Sequence, residues 1–172
     1  MRNVIVTGAS RGLGLAIAKA LAAGGYRVLA IARSPGAELE ALAAAATQAG
    51  RGAVQFHPFD LLETSAMAQL ISHLRREAGP LYGLVNNAGL GTAGVLAMMR
   101  DEQIEALVRL NTLSPIVLTR HVVRAMMSER RSGNLPRRRI SSVNKQPSRY
   151  SNTMYGTPSP VKPMSVDSTM CG

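Results

Sequence analysis

The chain has no tryptophan, two phenylalanines, four tyrosines and one cysteine among 172 residues. A lone Cys171 excludes an internal disulfide. The scarcity of rings leaves few platforms on which nucleic-acid bases could stack. The three histidines have no partners at metal-ligand spacing, so no metal site is expected. No apolar run is long enough for a membrane span, and no charged-then-apolar leader precedes the first strand-like run. Neither a membrane anchor nor a secretory signal is therefore expected, and the cytoplasm is the default location. Acidic residues are also scarce, at 10 against 20 Lys and Arg, for a net charge of +10. The imbalance is local: residues 1–119 carry +2 and residues 120–172 carry +8.

What is present is an Ala/Leu/Val-rich chain that is 46% hydrophobic, long enough for one domain with a real core. Strand-like runs at Asn3–Thr7, Arg27–Ala32, Ala53–His57 and Tyr82–Asn86 alternate with helix-like runs at Gly12–Ala23, Ala37–Ala49, Glu63–Glu77 and Asp101–Arg131. The last of these is expected to bend near Ser114-Pro115. Leu13, Ile17 and Leu21 recur at intervals of four and predict a helix packed on the first strand. Met67, Leu70, Ile71 and Leu74 give the third helix one apolar face. This alternation predicts an α/β fold of three layers, a parallel sheet with helices on both faces. Beyond about Ser132 the periodicity ends in Pro136-Arg-Arg-Arg139 and a Ser/Thr/Pro/Met-rich stretch, read as poorly ordered.

Between the first strand and helix lies Thr7-Gly-Ala-Ser-Arg-Gly-Leu-Gly14. Glycines there permit a tight turn and close approach to a pyrophosphate, which the amides at the helix start can hold. The competing reading is a glycine turn without a ligand. The second strand ends in Ala32 and Arg33, where a dinucleotide fold that prefers NAD usually places a carboxylate. Arg33 and Arg11 together suit a 2′-phosphate, so NADP(H) is the expected cofactor; the alternative is that Arg33 is a solvated loop arginine.

The turn and Asn86-Asn-Ala-Gly89 together resemble the short-chain dehydrogenase/reductase family, in particular its 3-oxoacyl-carrier-protein reductases, from residue 2 to about residue 132. The resemblance implies a Rossmann-type doubly wound sheet, incomplete on its C-terminal side, and a reductase transferring hydride between NADP(H) and a carbonyl such as a 3-oxoacyl thioester. It places cofactor contacts at Gly8, Ser10, Arg11, Gly12, Leu13, Gly14, Arg33, Asp60, Leu61, Asn87, Ala88 and Gly89. Asp60 reads equally as a cap for the following helix, and Asn86 and Asn87 as braces between strands. Asn111 matches the asparagine that holds a water in the family's proton relay; its competing reading is a solvent-facing side chain.

Ser142 and Tyr155 match the catalytic serine and tyrosine. The partner lysine is missing, because position 159 is Ser159; Lys162 lies three positions late, flanked by prolines that oppose a helix. Tyr150 does no better, with Met154 four residues on. A tyrosine without a nearby cation stays near its ordinary pKa of roughly 10, which slows proton transfer at neutral pH. Arg137, Arg138 and Arg139 also occupy what should be a buried fifth strand. Residues 1–132 are thus read as an NADP(H)-binding domain and 133–172 as a degraded catalytic segment, from a truncated or frameshifted frame. The family's dimer or tetramer interface is expected to be incomplete, with Leu118, Val122, Val123 and Met126 facing partner subunits. A different class, an inactive dinucleotide-fold protein whose basic tail contacts nucleic acid or acidic partners, is weighed and disfavoured, since charge runs are usually solvated faces.

Overall fold

The computed structural model describes residues 1–131 apart from residues 51 and 93. The segment 133–172, with the arginine run, Ser142 and Tyr155, lies outside the described residues. Four strands, β1 (Arg2–Thr7), β2 (Tyr26–Ala32), β3 (Ala53–Pro58) and β4 (Leu81–Val85), pair in parallel in the order β3-β2-β1-β4. The register aligns Val4 with Val28, and Val28 with Val54. Strand alternation sends Val4, Val6, Val28 and Ala30 to one face and Ile5, Leu29 and Ile31 to the other.

Helices α1 (Gly12–Ala23) and α2 (Ala37–Ala49) cover the first face; α3 (Met67–Ala78) and α5 (Ser114–Arg131) cover the second. A shorter helix, α4 (Asp101–Val108), precedes α5. The result is a three-layer, Rossmann-type doubly wound sheet. The chain walks outward from β1 to β3 and then returns to add β4 on the other side of β1. That reversal opens a crevice at the C-terminal ends of β1 and β4, where ligands of such sheets bind.

Two helix expectations change in phase. The buried stripe of α1 is Gly14, Ala18 and Ala22, while Leu13 is exposed and Ile17 and Leu21 are half-buried. Small residues let α1 settle close on the sheet, so the stripe of largest side chains is displaced to its flank. In α5, Leu118 and Val122 are buried against the chain's own sheet, with Met126 half-buried beside them, so Leu118 and Val122 belong to this chain's core and not to an exposed face. The third helix behaves as its spacing predicts: Met67, Leu70, Ile71 and Leu74 are all buried. It begins later than expected, after a single 3₁₀ turn at Thr64–Ala66. Arg75 Nε, 3.0 Å from Glu129 Oε1, ties α3 to α5.

The expected bend in the last helical run is a widening. Residues Arg109–Leu113 form one π turn between α4 and α5. Pro115 has no N–H for the carbonyl one turn upstream and its ring crowds that carbonyl, so the helix accommodates an extra residue. Ser114 steadies the junction: its hydroxyl donates to the carbonyls of Leu61 and Arg109.

Candidate nucleotide-binding site

The turn after β1 is held by its backbone and by two side chains. Gly8 N–H donates to Ile31 O at 2.8 Å, anchoring the turn to β2. Gly8 adopts φ +65°, and a Cβ there would lie 2.8 Å from Ala88 Cα. Only glycine allows that conformation and that approach without strain. A Cβ on Gly14 would overlap the Gly8 carbonyl oxygen and the Asn87 side-chain nitrogen. The start of α1 is therefore pressed onto the turn.

Asn87 bridges the loop after β4 to this turn. Its Nδ2 donates to Thr7 O at 3.0 Å and Gly8 O at 3.3 Å. Thr7, buried at 2% exposure, accepts at Oγ1 from the amides of Asn87 and Ala88, each at 3.0 Å, and donates to Val85 O. Sequence reasoning missed Thr7. The signal available was a hydroxyl residue at the last position of a buried strand, directly before the glycine turn. Thr7→Val leaves two part-buried amides without an acceptor, and is expected to cost about 2–4 kcal/mol in chemical denaturation.

The helix end facing this crevice is bare. Arg11 occupies its cap position in extended conformation with no side-chain cap bond, and the first turn holds no acidic residue. The first intrahelical donor from this end is the Leu15 amide, which reaches Arg11 O at 3.3 Å. The amides of Gly12, Leu13 and Gly14 precede any intrahelical acceptor, as in the first turn of every α-helix. Around Gly12, at φ +57°, a Cβ would meet nothing within 4 Å. Unfilled donors, the positive helix end and open space together are the features that favour a bound anion.

The other sequence-predicted residues gather at the same ends of the sheet. Gly36 comes close to Ser10 O, 3.2 Å from where its Cβ would sit, which brings the loop after β2 beside the turn. That loop starts at Arg33. Arg33 and Arg11 are exposed and join no ion pair among the described residues. Phe59 N–H donates to Ala32 O, setting Asp60 at the mouth of β3. Asp60 does not cap α3: its Oδ1 accepts from Leu62 N at 3.0 Å and closes its own turn. The Leu61 side chain is buried in the core, leaving only its backbone to a ligand.

Asn86 donates to Thr119 Oγ1 at 3.0 Å and so braces β4 against α5. Ala88 is half-buried and Gly89 exposed on the loop that follows. Asn111, inside the π turn, neither faces solvent alone nor leaves its amide free. Its Oδ1 accepts from Leu90 N and its Nδ2 donates to Leu90 O, both at 2.8 Å. This pair clamps the loop bearing Gly89 to the widened helix. Ser142 and Tyr155 lie outside the described residues.

A doubly wound sheet with a bare helix end at its switch point is the architecture found in dinucleotide-binding α/β proteins. Residues 2–158 match the family model for short chain dehydrogenase, and the chain belongs to that family. It is 37% identical over 134 residues to ketoacyl reductase HetN of Nostoc sp., which covers 78% of this chain and 46% of that protein. A metagenomic short-chain oxidoreductase solved in complex with NADP superposes with TM-score 0.68 at 36% identity, over 74% of this chain and 57% of the other. A 3-oxoacyl-[acyl-carrier protein] reductase from Brucella melitensis solved in complex with NAD gives 0.66 at 30% identity, over 74% and 49%. The chain spans about half the length of the curated relatives it matches. No helix among the described residues is long and apolar enough to cross a membrane.

Proposed function

We propose that this chain binds NADP(H) in the crevice between the turn at Gly8–Gly14 and the loop at Asn87–Gly89, as a reductase of the short-chain type whose substrate is a carbonyl of the 3-oxoacyl thioester class. The observation that carries the reading is the bare start of α1 beside open space at Gly12. The residues fit the cofactor. Amides of Gly12, Leu13 and Gly14 would hold the pyrophosphate, with Ser10 and Arg11 on its oxygens. Arg33 would meet the 2′-phosphate, since residues 26–36 contain no acid to accept from a 2′-hydroxyl. Asp60 and the Leu61 backbone would border the adenine; Asn87, Ala88 and Gly89 would border the nicotinamide ribose.

When bound, NADPH would supply the hydride equivalent for the carbonyl carbon. In this chain the serine and tyrosine roles fall to Ser142, which would hydrogen bond the carbonyl oxygen, and Tyr155, which would give it a proton. Asn111 would take part through its backbone carbonyl, because its side chain is committed to Leu90 and Pro115 cannot donate to it. Ser159 in place of the lysine leaves Tyr155 without the cation that would make it acidic enough near neutral pH. Binding should thus outlast catalysis.

Fluorescence titration with NADPH, followed by NADPH oxidation on an acetoacetyl thioester, tests this. The expected result is saturable binding with little or no turnover. Ser159→Lys is expected to raise any turnover. Absence of binding would overturn the reading, and brisk turnover by the unaltered chain would overturn the role given to the missing lysine.

A further inference from the structure

Along the sequence the three histidines have no partners at metal-ligand spacing. The fold brings two of them together with a carboxylate. His57 stands on β3, at one edge of the described sheet, and lies near the C-terminal turn of α3. His73 and Glu77 stand one turn apart on α3. We propose that His57, His73 and Glu77 form a binding site for one divalent cation of the zinc class, fastening strand β3 to α3.

The geometry is close to that of a loaded site. One ligand atom from each residue lies within 4.8 Å of the other two. His73 Nε2 is 3.3 Å from Glu77 Oε2, and His57 Nδ1 is 3.9 Å from the same oxygen. Ligands of a tetrahedral zinc ion, each about 2.0–2.2 Å from the metal, stand about 3.3–3.5 Å apart. The His73–Glu77 pair already has that spacing; His57 must close by about half an ångström on Glu77 and by up to about 1.4 Å on His73, a rotation of half-exposed side chains on α3. A span of 3.9 Å is too long for a hydrogen bond, so the buried imidazole gains little from Glu77 directly.

The chemistry of the donors agrees. Two imidazole nitrogens and one carboxylate oxygen suit zinc, with water in the fourth position. Without a metal, the half-exposed His73–Glu77 pair would contribute little. The site lies on the face opposite α1 and is independent of the nucleotide reading: the ion would act as a staple, not in hydride transfer.

The test is cobalt(II) titration of the metal-stripped full chain, followed by zinc competition. The expected result is one equivalent of Co²⁺ with the strong visible bands of tetrahedral coordination, displaced by Zn²⁺. Saturating Zn²⁺ should raise the Tm by about 5–10 °C. His73→Ala and Glu77→Gln alter half-exposed side chains and should fold normally, yet each should weaken binding at least about tenfold. Cys171→Ser and His121→Ala should leave binding unchanged. No saturable cobalt spectrum, equal affinity in His73→Ala, or loss of binding in Cys171→Ser would overturn the proposal.

Discussion

Gly14→Ala is expected to lower NADPH affinity by at least about 100-fold, a loss of roughly 2.7 kcal/mol. The reason is steric. A methyl group at Gly14 would overlap the Gly8 carbonyl and the Asn87 amide, both backbone-anchored parts of the site. Something must shift, and each available shift moves the amides that would hold the pyrophosphate. Overpacking of this kind also costs about 1–3 kcal/mol of stability, so a melting curve should accompany the titration. Gly12→Ala supplies the companion measurement. Its methyl meets nothing, so the protein should fold, but φ +57° costs a non-glycine residue about 1–2 kcal/mol and the methyl enters the crevice. Its affinity should fall as well. A folded Gly12→Ala variant with unaltered affinity would place the ligand elsewhere.

Arg33→Asp should reverse the coenzyme preference. The substitution removes the cation expected to face the 2′-phosphate and supplies the carboxylate that accepts from a 2′-hydroxyl. NADPH affinity should drop about 10- to 100-fold while NADH affinity holds or rises. Arg33 is exposed and outside any ion pair of the described residues, so stability should change by no more than about 0.5 kcal/mol. In the unaltered chain, NADPH binding should weaken with added salt more than NADH binding does, because exposed charge pairs are screened. Equal losses for both coenzymes in Arg33→Asp would mean that Arg33 touches the shared part of the nucleotide. No change for either would return it to the solvated loop.

Much of the site was legible because it is built from local grammar. An apolar run, a glycine turn and a helix in sequence specify β1, the turn and α1, and Gly8 and Gly14 serve the close approaches that glycines imply. The apolar face of α3 was legible because four large side chains at helical spacing must be buried together. The phase of α1 was not. The buried positions are the small Ala18 and Ala22, and periodicity counted on bulk favours the wrong flank. Long-range hydrogen bonds were equally hidden. Nothing near Thr7 in sequence announces that its hydroxyl will serve two amides some eighty positions later. Nothing near Asn111 announces a clamp on Leu90. The meeting of His57 with His73 and Glu77 likewise depends on α3 bringing its last turns beside β3, a fact of topology and not of spacing.

The most direct test of the central claim is amide hydrogen exchange at Gly12, Leu13 and Gly14 with and without saturating NADPH. Exchange at these three amides should slow markedly when NADPH is present, while amides at the start of α2, where Glu38 and Glu40 occupy the first turn, stay unchanged. Unchanged exchange at the start of α1, in a folded protein saturated with either coenzyme, would contradict the account.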